Sequence, residues 1–116
     1  ELVALAAESE AGRLYLGDHA WALRYAQLSR RTMLERAAAV LGERLRLDAD
    51  WASFFDSHHN LVRREEVDGE EFWVHRKGAL PARAGERGLI PGSMGDASFH
   101  VEGRGCAASL HSSSHG

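Results

Sequence analysis

The sequence predicts an α+β fold. Three observations carry that prediction: a long Ala- and Leu-rich run, an Asp-Gly dipeptide between two strand-like segments, and glycine- and proline-rich chain beyond them. Strands following a helix in a block, rather than alternating with helices, point to α+β rather than α/β.

The helical segment is expected over 18–47. Asp18 is a suitable N-cap, and no proline and no glycine before Gly42 interrupts the run that follows. Leu23, Ala26, Met33, Ala37, Leu41 and Leu45 recur at helical spacing and form one apolar stripe. Arg30 falls on that stripe, where the ordinary reading is an edge arginine paired with a carboxylate. Gly42 either ends the helix or only weakens it.

Composition changes near Trp51. Leu61 to Glu66, the turn signal Asp68-Gly69, and Glu70 to Lys77 read as a β-hairpin. Strand alternation puts Phe72, Val74 and Arg76 on one face and Trp73, His75 and Lys77 on the other. Gly78 to Gly92 reads as loop, and Ser98 to Glu102 as a short strand. No internal repeat or clear linker divides the chain, so 1–116 is expected to be a single, partial domain.

The bulk numbers narrow the function classes. With 116 residues, 44% apolar and 27% charged, the chain has the composition of a globular domain. No stretch approaches the roughly 20 apolar residues of a membrane span. The net charge of −3 excludes nucleic-acid binding by bulk electrostatics and leaves only local clusters such as Arg63-Arg64 and Arg76-Lys77. One cysteine, Cys106, cannot form an internal disulfide, which suits a reducing, cytoplasmic setting. The opening Glu1-Leu2-Val3 lacks the basic lead of a signal peptide and an initiator Met, so the expectation is a piece of a longer protein. Six of the seven histidines lie from His58 onward, which draws attention to the second half.

Four segments there could carry chemistry. Ser57-His58-His59-Asn60 offers adjacent imidazoles and a carboxamide. In extended chain the two rings point to opposite faces, so only one would ligate a given ion, with Asn60 beside a phosphate. A structural histidine is the plainer reading. Trp73 to Ala79 interleaves an aromatic ring, an imidazole and two cations, suited to phosphates or RNA through Arg76 and Lys77, or simply to a solvated strand face. Pro91-Gly92-Ser93-Met94-Gly95, with Ser98, offers backbone N–H groups and hydroxyls for a nucleotide phosphate or base edge. It is not a P-loop, and a tight turn entering a strand remains open. Ser112-Ser113-Ser114-His115-Gly116 is either a floppy tail or a small-residue loop presenting a nucleophilic imidazole.

Together and in this order, the segments His59-Asn60, His75-Arg76-Lys77-Gly78-Ala79, Pro91-Gly92-Ser93-Met94-Gly95 with Ser98, and Ser114-His115-Gly116 strongly resemble the RtcB family of RNA ligases. The resemblance runs from Asp56 to the last residue and makes 56–116 a nucleotide- and metal-binding region of a larger RtcB-type fold. It is weaker in the helix, where the family usually shows Asn-Tyr-Ala and Asn-Arg but this chain has Arg24-Tyr25-Ala26 and Ser29-Arg30.

The resemblance implies a GTP- and Mn2+-dependent ligase that joins RNA 3′-phosphate or 2′,3′-cyclic phosphate ends to 5′-hydroxyl ends, on tRNA halves or broken RNA. It makes His59 a manganese ligand and Asn60 its companion at the nucleotide phosphate. Pro91, Gly92, Ser93, Met94 and Ser98 would contact the guanosine nucleotide. His115 would be the catalytic residue that takes GMP covalently, with Gly116 opening the adjacent nucleotide loop. His58 acquires no role, Cys106 lies in the wrong place to be the family's cysteine ligand, and no protein partner is implied. The family's other metal ligands have no counterpart in these residues, so the isolated piece is expected to be inactive. Two alternatives stand beside this reading: a non-catalytic, truncated family member acting as a nucleotide-binding or structural module, and a different metal-dependent phosphotransferase or hydrolase using the same histidines.

Overall fold

A computed structural model of the chain describes residues 4–115. They divide into two compact units at Asp56/Ser57.

The first unit is dominated by one helix, α1 (Glu10–Leu45). It starts eight residues before the expected Asp18, because Ser9 is the cap: its hydroxyl accepts from the Gly12 N–H at 3.0 Å. Glu10 in the first turn and Arg44 in the last complement the helix dipole. Gly17 and Gly42 are both carried inside the helix, which ends when Arg46 turns left-handed at φ 56°. The chain then makes a short 3₁₀ turn at Trp51–Ser53, capped by the Asp50 carboxylate. It returns to α1, where Arg30 grips Asp56 in a two-pronged ion pair at 2.6 and 2.8 Å and Arg31 lies over the Phe54 ring at 5.5 Å. Arg30 is thus the paired arginine the sequence suggested. The expected apolar stripe is not buried: Met33, Leu41 and Leu45 all face solvent, and Gly12 is the only buried residue of α1.

Among the described residues the second unit contains six strands in three antiparallel two-stranded ladders. β1 (Asn60–Val67) and β2 (Glu70–Lys77) form the predicted hairpin, in a register that pairs Val67 with Glu70 and Asn60 with Lys77. Asp68 and Gly69 both take positive φ, 52° and 82°, the backbone a two-residue hairpin turn requires. β3 (Ala79–Pro81) pairs with β6 (Ser112–Ser114), and β4 (Arg87–Ile90) with β5 (Phe99–Glu102). β3 and β4 lie in the stretch expected to be loop. They are too short for alternation to reveal, and their partners are distant in sequence or across the loop 91–98. The serine-rich end is likewise a paired strand rather than a tail.

The core of this unit is small: Leu61, Val67, Val74 and Leu80, with two charged residues, Glu65 and Arg76, buried beside them. The expected facing of β2 holds, with Val74 and Arg76 inward and Trp73, His75 and Lys77 outward.

Candidate functional site

Two of the residues singled out from the sequence are brought together. His59 precedes β1 and His115 follows β6, and their rings meet edge to face with centroids 4.3 Å apart. The two ladders make this contact through one glycine. β2 ends at Lys77 and β3 begins at Ala79, so Gly78, at φ 68°, is the hinge between them. Asn60 pairs with Lys77 on one side of that hinge and Ser114 pairs with Ala79 on the other. His59 and His115 each lie one residue beyond those pairs, and the Gly78 N–H donates to the His59 carbonyl at 3.2 Å. His115 is half-buried, and its Nε2 is shielded from solvent with no hydrogen-bond partner among the described residues.

Asn60 and Lys77 are both exposed at the end of the hairpin beside His59. Arg76 is elsewhere. Its side chain is 1% exposed, and its guanidinium binds Glu65 through both Nη atoms. It also donates to Ser112 Oγ at 2.9 Å and to the Leu110 carbonyl at 2.8 Å. In this arrangement Arg76 presents no donor to an RNA phosphate, so the direct phosphate contact expected of it gives way to a structural one. Alternation placed Arg76 on the Val74 side, but the inner face gains its polarity from Glu65, across the ladder.

Glu65 gathers three arginines. Besides Arg76, Arg63 Nε lies at 2.7 Å and Arg83 Nε at 3.4 Å, and Arg63 also binds Glu86. Burial by itself would push the Glu65 carboxyl up, but the hydrogen bonds from Arg76 and then Arg63 outweigh it and hold the group at about 2.

The Pro91–Ser98 loop joins β4 to β5 and is stitched internally. The Gly92 N–H donates to Ser98 Oγ at 3.1 Å, Ser93 Oγ donates to the Asp96 carboxylate, and the Asp96 N–H donates to the Ser93 carbonyl at 3.1 Å. Met94 projects fully into solvent. Both hydroxyls the sequence offered to a ligand are therefore engaged within the loop, Ser98 by the Gly92 N–H and Ser93 by Asp96, which sequence reasoning passed over. Gly116 lies outside the described residues.

His111 was also passed over. Its Nδ1 accepts from the Cys106 N–H at 3.1 Å and its own N–H donates to the Cys106 carbonyl at 2.9 Å, closing the turn that leads into β6. Cys106 itself is exposed. Nothing in the local sequence marks His111 for this part, because the turn it closes contains no turn-forming dipeptide.

Among the described residues no group of three or more His, Cys, Asp or Glu side chains could hold a metal ion. His59 with His115 supplies imidazole nitrogens alone, whereas manganese favours carboxylate, carbonyl and water oxygens. These residues by themselves do not make a manganese site. No helix among them is long and apolar enough to cross a membrane.

Comparison with known proteins places the chain in a family. The family model described as tRNA-splicing ligase RtcB matches residues 1–116. The chain belongs to the RtcB family. It is 44% identical to the RNA-splicing ligase RtcB of Escherichia coli K12 over 107 residues, covering 88% of this chain and 26% of that protein. It is 31% identical to the RNA-splicing ligase RtcB of Mycobacterium tuberculosis over 133 aligned positions, covering all of this chain and 30% of that protein. The chain thus spans about a quarter to a third of the length of these RtcB relatives. No solved structure matches significantly.

Proposed function

We propose that this chain is the nucleotide-accepting part of a GTP-dependent RNA ligase, with His115 as the residue that carries GMP. Family membership and the shielded His115 Nε2 set against His59 are the observations that support this reading.

The neutral imidazole of His115 attacks the α-phosphorus of GTP; an N–P bond forms and pyrophosphate leaves. An oxygen of the RNA 3′-phosphate then attacks the same phosphorus, breaking the N–P bond and returning the electron pair to the ring. Attack by the 5′-hydroxyl of the second RNA on the activated 3′-phosphate gives the phosphodiester and releases GMP. A 2′,3′-cyclic end is first opened to the 3′-phosphate. Imidazole suits the relay because it is nucleophilic when neutral and a good leaving group when protonated. Packing against His59 restricts the ring's orientation, and exclusion of water from Nε2 keeps the acceptor atom from being hydrogen-bonded away.

Manganese would neutralise the triphosphate when bound; His59 would give it one ligand, with the others supplied from elsewhere in the full-length protein. Asn60 and Lys77 would meet a phosphate; both are exposed beside His59, which supports that reading. Pro91, Gly92, Ser93, Met94 and Ser98 would meet the guanosine; Ser93 would have to turn its donated bond from Asp96 to the ligand, whereas Ser98, an acceptor in the loop, can donate as it stands.

The test is covalent labelling. The full-length protein incubated with α-labelled GTP and Mn2+ acquires an acid-labile label, and His115→Ala abolishes it. Undiminished labelling of that variant refutes the assignment.

A further inference from the structure

Arg76 is the most thoroughly engaged side chain of the second unit, yet it touches none of the residues assigned to nucleotide chemistry. Its two Nη atoms bind the Glu65 carboxylate on the neighbouring strand. The remaining bonds reach the segment that delivers His115: Nε donates to Ser112 Oγ at 2.9 Å and Nη2 to the Leu110 carbonyl at 2.8 Å. Ser112 Oγ in turn donates to the same Leu110 carbonyl at 3.1 Å.

That segment needs holding. Leu110 and His111 are consecutive non-glycine residues at φ 50° and 48°. The left-handed conformation is unfavourable for a side chain such as leucine, and two in a row persist only where neighbours enforce them. The turn is followed at once by β6, a three-residue strand, and then by His115. Three residues of pairing fix little by themselves, so the direction in which the chain enters β6 sets where His115 ends up.

We propose that Arg76 is a positioning residue for His115: backed by Glu65, it clamps the Leu110–Ser112 turn in its left-handed form and so sets the approach of the His115 ring to the nucleotide phosphorus. Arg63 and Arg83 also hold Glu65, so the clamp is anchored outside the turn it controls. A lysine cannot replace this arginine, because its three N–H donors diverge from one nitrogen and cannot reproduce four hydrogen bonds from three spaced nitrogens, two of them on one carboxylate. The inference rests on the assignment of His115 as GMP acceptor.

The experiment is single-turnover GMP transfer to the full-length protein, with melting temperature measured alongside. Arg76→Lys is expected to slow transfer roughly 10- to 100-fold with the KM for GTP little changed, as for a displaced reacting atom. Leu110→Asn in that background restores part of the rate, because asparagine tolerates the left-handed region. Ser112→Ala, which removes the bond from Arg76 Nε and the bond from Ser112 Oγ to the Leu110 carbonyl but leaves the Arg76–Glu65 pair, slows transfer roughly threefold to tenfold. It is the deciding variant if Arg76→Lys fails to fold. Wild-type rates in folded Arg76→Lys, or in Ser112→Ala where Arg76→Lys does not fold, overturn the clamp. A slowing that appears wholly in the KM for GTP also overturns it. If the wild-type protein takes no label, or labels equally as His115→Ala, the functional reading has failed instead.

Discussion

The two units of this chain treat their residues in opposite ways. The first unit carries most of the chain's leucines and alanines, yet Trp21, Tyr25, Met33, Leu41 and Leu45 of α1 all lie open to solvent. The strand unit has fewer apolar residues, yet it closes over a glutamate and an arginine with almost no exposure. Hydrophobicity favours burial only where there is a surface to be buried against. A lone helix offers itself none, whereas a hairpin with crossing strands encloses space even around charge. The buried pair is tolerated because the guanidinium finds acceptors in several directions and the carboxylate is shared among three arginines.

Four measurements would break or sharpen that contrast. The largest effect is expected for Glu65→Ala. It leaves Arg76 buried without its counter-ion, a loss of roughly 3–5 kcal/mol in unfolding free energy by denaturant titration. A change under about 1 kcal/mol would show that water reaches Arg76 and that the pair is not a closed core. Next comes acid. The Glu65 carboxyl is held at about 2, below its unfolded value, so its contribution is fully present above about pH 4.5 and lost as pH falls toward 2. Roughly 3 kcal/mol should disappear across that window, and the corresponding step should be missing from Glu65→Gln. Gly69→Ala, at φ 82° in the hairpin turn, is expected to cost about 1 kcal/mol. The smallest effect belongs to the helix. Met33→Ala, at a residue 67% exposed, should change the stability of this 116-residue chain by less than about 0.5 kcal/mol. A loss near 2 kcal/mol would mean that the exposed face of α1 is covered in solution.

How much was legible follows from the range of each interaction. Asp68-Gly69 and the alternation around it gave the hairpin within a residue at either end, because turn and strands are neighbours in sequence. The helix was evident, but its start was misplaced: Ser9 and Asp18 are both capping residues, and propensity does not choose between them. β3 was missed because a three-residue strand owes its existence to Ser112–Ser114, far along the chain. Among the site residues, His59 and His115 stood out through the ordered motif set, whereas Asp96 and His111 carry no motif and act only through a folded loop.

What the sequence determined alone is therefore local: one long helix, one tight hairpin, the inward side of β2, and membership of a family through motifs in order. The tertiary structure decided the rest. It turned Arg76 from a candidate phosphate contact into a buried clamp, because Glu65 lies in the partner strand and Leu110 and Ser112 cross the same spot. It brought His59 to His115, because the hinge at Gly78 lets one continuous stretch pair with β1 on one side and β6 on the other. Contacts between residues so distant in sequence depend on strand pairing that no local pattern encodes.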